Sequence, residues 1–164
     1  MFKTADLCDA FGQAVQVLAP LLRDYGGKPS FHGPIATVQV VEDNTSVRAL
    51  LEQPGSGRVL VVDGGGSLRC ALVGDNLGQL AIDNGWAGLV VYGCVRDCTE
   101  LAAMPIGVKA LAANPRRSEK RAAGTTGGTV SFGGVDFVPG HYLYADADGV
   151  IVAARFGKNP TKLG

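Results

Sequence analysis

Residues 58–66 read Arg-Val-Leu-Val-Val-Asp-Gly-Gly-Gly. The apolar run Val59 to Val62 is uninterrupted, the pattern of a strand covered on both faces, as in parallel sheets. The three glycines after Asp63 break it in a tight turn. Further on, Gly88-Leu-Val-Val-Tyr92 is a second run of this kind, and the stretch from about Asp75 to Asn84 between the two reads as a helix. Strand, glycine turn, helix and strand in that order imply a parallel βαβ crossover.

Working outward, Pro34 to Val41 is dense in β-branched residues and reads as a strand, and Asn44 or Thr45 caps a short helix running through Gln53. At the N-terminus, Thr4 is the expected N-cap of a helix that presents Leu7, Cys8 and Phe11 on one face and ends near Gly12. Ile106 to Ala112 is a further strand. Residues 114–128 are polar and rich in Arg, Lys, Gly and Thr. Short β runs follow at Thr129–Phe132, Val135–Val138 and Val150–Ala154, with Gly-Gly and Asp-x-Asp-Gly turns suited to antiparallel pairs. The predicted fold is α/β: a single domain over residues 1–164 with a mixed sheet, a parallel βαβ centre and an antiparallel flank.

Composition narrows the function. Fifteen Lys and Arg balance fifteen Asp and Glu, and only 18% of residues are charged, so no basic excess draws the chain to nucleic acid or anionic lipid. No apolar run approaches the ~20 residues of a membrane span and no leader pattern opens the sequence, so a soluble, cytoplasmic protein is expected. Low charge with 46% apolar content favours a closed oligomer. Cys8, Cys70, Cys94 and Cys98 form no Cys-x-x-Cys pair, which points to reduced thiols rather than zinc. His32 and His141 are read as structural.

Three clusters lie where ligands bind in such sheets, beyond the carboxyl ends of strands. Asp63-Gly-Gly-Gly66 has neither a Walker nor a dinucleotide spacing and reads as a turn before it reads as a ligand contact. Gly74-Asp75-Asn76-Leu77-Gly78 opens a helix, where free N–H groups suit a carboxylate and where Asp75 or Asn76 equally suits a plain cap. Arg96-Asp97-x-x-Glu100 combines a guanidinium fork, a hard oxygen ligand and a second carboxylate three residues on, and spacing alone leaves an ordinary capped helix open.

Together these residues resemble a known family, the regulators of ribonuclease E activity A (RraA), which share their fold with class II 4-hydroxy-4-methyl-2-oxoglutarate aldolases. Leu7-Cys-Asp9, Leu51-Glu-Gln53, the stretch Gly57 to Gly66, Phe132-Gly-Gly-Val135 and Leu143-Tyr-Ala-Asp146 carry the resemblance. Gly74 followed after twenty-one residues by Arg96-Asp97-x-x-Glu100 is similar to the aldolase signature. The resemblance implies a swivelling β/β/α fold and a homotrimer with sites between subunits. It implies that Gly74, Asp75, Asn76 and Leu77 hold the carboxylate and keto oxygens of a 2-oxo acid, with Arg96 on the same oxygens. Asp97 would bind Mg²⁺ or Mn²⁺, Glu100 would orient a metal-bound water, and Asp75 would position a water that protonates the pyruvate methyl carbon.

The activity so implied is retro-aldol cleavage of 4-hydroxy-4-methyl-2-oxoglutarate and decarboxylation of oxaloacetate, both passing through a pyruvate enolate. Such an enolate needs a Lys Schiff base or a metal, and Lys109, the one lysine in an apolar stretch, stands outside the three clusters. The alternative the resemblance carries is a non-enzymatic regulator that binds and inhibits ribonuclease E. Methyl transfer, an older name for such sequences, ranks below both because no dinucleotide-like glycine motif is present. Longer relatives lend an acidic residue from a C-terminal extension to a neighbouring site; this sequence stops at Gly164, so the resemblance does not fix substrate preference or efficiency.

Overall fold

The computed structural model describes residues 1–121 and 124–156. Four α-helices, α1 (Thr4–Phe11), α2 (Thr45–Leu51), α3 (Asp75–Asp83) and α4 (Cys98–Ala102), accompany twelve strands. These are β1 (Gln16–Val17), β2 (Arg23–Asp24), β3 (Phe31–Gln39), β4 (Val59–Asp63), β5 (Ala71–Val73), β6 (Gly88–Val95), β7 (Gly107–Ala113), β8 (Thr125–Thr126), β9 (Val130–Phe132), β10 (Val135–Phe137), β11 (Tyr142–Asp146) and β12 (Gly149–Ala153). The main sheet runs β1-β12-β11-β3-β4-β6-β7-β2. Its centre, β3-β4-β6-β7, is parallel, while β11, β12 and β1 on one side and β2 on the other pair antiparallel. This is the mixed sheet expected from sequence.

The strand period explains why β4 carries no polar residue before Asp63. Leu60 and Val62 enter one core with Leu51, Leu77, Ala81 and Leu101 from the helices. Val59 and Val61 enter a second core with Phe31, Leu143, Phe132 and Phe137, where the β9–β10 hairpin forms the cover. Both faces are therefore apolar because both are covered. Gly133 and Gly134 at the hairpin tip have φ of +59° and +77°, the double positive φ of a tight two-residue turn.

Several boundaries differ from expectation. The strand placed at 34–41 runs from Phe31 to Gln39, and Val41 is exposed. β6 continues past Tyr92 to Val95 because Gly93 does not break it; a side chain there would meet Leu72 Cδ1 at 3.0 Å. Gly93 therefore leaves room for Leu72. Beyond Tyr92, β6 exchanges its neighbour β4 for β5, a three-residue strand not anticipated. β11 was also not anticipated.

Thr4 does not cap α1. Lys3 holds that position, and Thr4 is the first helical residue. Its N–H and hydroxyl both donate to the Asp146 carboxylate, at 2.8 and 2.7 Å. In α2, Asn44 is at the N-cap but its side chain bonds the Leu72 carbonyl, and Asp43 accepts from the Thr45 N–H at 2.8 Å. Expectations about the chain end near Lys158 lie outside the described residues. No helix among the described residues is long and apolar enough to cross a membrane.

Candidate functional site

Strand β5 delivers Gly74 to the start of α3, and β6 delivers Arg96 and Asp97 to the start of α4. The two strands are parallel neighbours, with Val73 opposite Val95, so both carboxyl ends reach the same edge. Arg96 N–H donates to the Val73 carbonyl at 2.9 Å, which locks that register. Asp97 sits in the left-handed region at φ +58°, ψ +45°. Few non-glycine residues adopt this conformation; Asp and Asn are the usual ones.

The turn aims the Asp97 side chain away from its own helix and onto α3. Its Oδ2 accepts a hydrogen bond from the Asp75 N–H at 3.1 Å. Gly74 makes the approach possible, since a β-carbon there would lie 2.5 Å from Asp97 Oδ2 and 3.3 Å from Arg96 Cγ. Neither Asp75 nor Asn76 caps α3; Gly74 occupies the N-cap and Asp97 supplies the carboxylate. The first intrahelical bond runs from Gly78 N–H to the Gly74 carbonyl, which leaves the Asn76 and Leu77 N–H groups without a partner among the described residues. They are available to an anion at the positive end of the helix dipole.

A cavity of about 250 Å³ opens here, lined by Gly74, Asp75, Asn76, Leu77, Arg96 and Asp97. The predicted substrate and metal residues are thus brought together on one cleft. Glu100 is exposed on α4 and is not part of the lining. Arg48, Asn44, Arg117, Ser118 and Lys120 complete the wall. Sequence reasoning placed none of these in the site; for Arg117, Ser118 and Lys120 the Arg- and Lys-rich composition of 114–128 is the available signal, and for Asn44 and Arg48 there is none. Four cationic side chains face two carboxylates, so the cleft is electropositive and suits a small anion.

The other candidate groups are occupied elsewhere. In the Asp63–Gly66 turn, Gly64 and Gly66 N–H groups donate to the Tyr92 carbonyl and Gly65 N–H to Asp63 Oδ1. The turn therefore presents no cradle of free N–H groups to a phosphate. Lys109 is buried on β7 and paired with Asp24 at 2.9 Å, so it is not a free amine. Cys70 and Cys94 are buried, Cys8 and Cys98 half-buried, and burial raises all four thiols above their ordinary pKa, Asp97 and Glu100 adding to the effect at Cys98.

The RraA-like family model, described as Aldolase/RraA, matches residues 4–152. A protein of Xanthomonas campestris is 60% identical over 92% of this chain and 90% of its own length. One of Alkalilimnicola ehrlichii is 56% identical over 92% and 93%. Both carry the provisional name 4-hydroxy-4-methyl-2-oxoglutarate aldolase. A Geobacillus kaustophilus structure described as an S-adenosylmethionine:2-dimethylmenaquinone methyltransferase superposes with TM-score 0.93 at 51% identity, covering 99% of this chain and all of the other. The RNA-processing inhibitor RraA of Thermus thermophilis superposes with TM-score 0.90 at 44% identity, covering 94% and 93%. Matched along most of its length and at over half of its aligned positions, the chain belongs to the RraA-like, or Aldolase/RraA, family.

Proposed function

We propose that this protein is a divalent-metal-dependent lyase that releases pyruvate from 4-hydroxy-4-methyl-2-oxoglutarate by retro-aldol cleavage and from oxaloacetate by decarboxylation. The observation that carries the reading is the convergence of Arg96, Asp97 and the open α3 N–H groups on one cleft, made possible by the bare α-carbon of Gly74. The aldolase name of relatives at 56–60% identity supports it.

Asp97 fits a hard divalent cation. No described residue donates to its Oδ1, and no group of three or more His, Cys, Asp or Glu stands together among the described residues. The protein thus offers the ion one carboxylate, the habit of Mg²⁺ sites completed by water and substrate oxygens. When bound, the ion supplies Lewis-acid stabilisation of charge on substrate oxygen.

In either reaction the C3–C4 bond breaks and its electron pair moves toward the C2 carbonyl; the fragment beyond C3 leaves as carbon dioxide, or as a second pyruvate once the C4 hydroxyl has given its proton to water and become a carbonyl. Negative charge grows on the C2 oxygen. Arg96 provides a fixed guanidinium fork for that oxygen, and preorganised donors of this kind lower the barrier most where charge develops. The Asn76 and Leu77 N–H groups hold the C1 carboxylate. Asp75 positions a water that returns a proton to C3 and completes the pyruvate methyl group. A homotrimer belongs to the same reading and is checked by light scattering.

The test is pyruvate release from each substrate with Mg²⁺, its loss in EDTA and its return on adding metal; activity indifferent to EDTA removes the metal from the reading. A second reading, inhibition of ribonuclease E by direct binding, is favoured by the 44% identity to the Thermus inhibitor. Failure to retain ribonuclease E in a pull-down removes it.

A further inference from the structure

The segment Asn114–Arg121 leaves β7 and is fixed across the cleft by bonds to three other parts of the chain. Asn114 N–H donates to the Val95 carbonyl at 2.9 Å and its side-chain amide to the Leu68 carbonyl at 2.6 Å. Ala71 N–H donates to the Arg116 carbonyl at 2.7 Å, and Glu119 N–H to the Glu42 carbonyl at 3.2 Å. Arg121 N–H donates to the buried Asp43 carboxylate, which also holds the start of α2. A loop anchored this way presents its side chains at fixed positions.

Three of those side chains line the cleft and are uncommitted. Ser118 is 8% exposed, yet its hydroxyl has no hydrogen-bond partner among the described residues. Ser118 is one of the residues that line the cavity. Arg117 and Lys120 line the same cavity and form no ion pair among the described residues, unlike Arg121, which is tied to Glu119. A hydroxyl donor in a cleft that two cations also line suits an anionic acceptor.

We propose that the Asn114–Arg121 segment recognises the second carboxylate of a dicarboxylic 2-oxo acid. Ser118 donates to that carboxylate, Arg117 and Lys120 neutralise it, and Asp43 is a positioning residue that holds the segment in place. The inference rests on the lyase reading above, in which α3 and Arg96 already engage the C1 carboxylate and keto group. It assigns the remaining donors to the far end of the substrate.

The experiment compares a dicarboxylic substrate with a monocarboxylic one. Oxaloacetate decarboxylation gives kcat and KM, and exchange of pyruvate methyl protons with D₂O, followed by NMR, reports the shared 2-oxo acid end alone. Ser118→Ala and the pair Arg117→Gln/Lys120→Gln are each expected to raise KM for oxaloacetate about tenfold or more, with pyruvate exchange unchanged. Asp43→Asn is expected to raise the same KM and to add nothing in a Ser118→Ala/Arg117→Gln/Lys120→Gln background, where every donor it positions is already gone. The exposed cations are replaced without touching the core, so these variants decide the matter if Asp43→Asn does not fold. An unchanged oxaloacetate KM, or a parallel fall in pyruvate exchange, overturns the inference while leaving the lyase reading intact. A wild-type protein inactive in both assays overturns the lyase reading and the inference with it.

Discussion

The Asp97 Oδ2 accepts the Asp75 N–H at 3.1 Å, so a carboxylate from the end of β6 closes the first turn of a helix that follows β5. One bond thereby fixes the distance between the two halves of the cleft. It spends half of Asp97 on geometry and leaves the other oxygen for a ligand. The space for it exists because residue 74 has no side chain.

Gly74→Ala is therefore expected to damage function more than folding. Gly74 has φ −131°, which alanine adopts freely, but the new methyl would sit 2.5 Å from Asp97 Oδ2. The flexible carboxylate moves first. We expect a stability loss of about 1 kcal/mol or less and a fall in pyruvate release of about a hundredfold or more. Thermal melting beside initial rates checks this; normal turnover would show that the Asp97 position is not needed.

Asp146 ties the two ends of the chain. Burial pushes its carboxyl pKa up, but hydrogen bonds from Thr4 N–H, Thr4 hydroxyl and the N–H groups of Asp148 and Gly149 outweigh this and hold it below its ordinary value. A depressed carboxyl stabilises the fold above its unfolded pKa, and that contribution is lost as pH falls toward the folded value. Asp146→Ala should cost about 2–3 kcal/mol at neutral pH and flatten the acid limb of the stability curve. Denaturant unfolding at pH 7 and pH 3 reads both.

His32 acts in a higher window. Its Nδ1 shares a 2.8 Å hydrogen bond with the Tyr142 hydroxyl, and its ring stacks on Tyr144 at 5.1 Å. Burial first, and then Lys28, lowers its pKa. Protons bind the unfolded chain more readily, so stability present at pH 8 should decline as pH falls below about 6.5. His32→Gln should lose less over pH 7.5 to 5.5 than the wild type. Equal slopes in the two proteins would assign the decline to other groups.

The central sheet was legible because Val59 to Val62 and Gly88 to Tyr92 are apolar on both faces, a pattern that no exposed strand sustains. Local signals, a glycine before a helix and paired charges after a strand, mark the start of α3 and the Arg96-Asp97 pair as clusters, while the roles given to them rest on the family resemblance. What stayed hidden depends on contacts between distant residues. Thr4 reads as a cap until Asp146, 142 positions away, takes its hydroxyl. Gly93 reads as a strand end until Leu72 fills the space above it. Ser118 and Lys120 have no periodicity to mark them; bonds to Leu68, Ala71, Val95, Glu42 and Asp43 bring their segment to the cleft.

The most direct measurement is pyruvate release from 4-hydroxy-4-methyl-2-oxoglutarate and oxaloacetate by purified Asp97→Ala and wild-type protein, each with Mg²⁺ and with EDTA. The lyase reading requires turnover in the wild type with Mg²⁺, and a loss of about a hundredfold or more in the variant and in EDTA. Turnover by Asp97→Ala at the wild-type rate would contradict it.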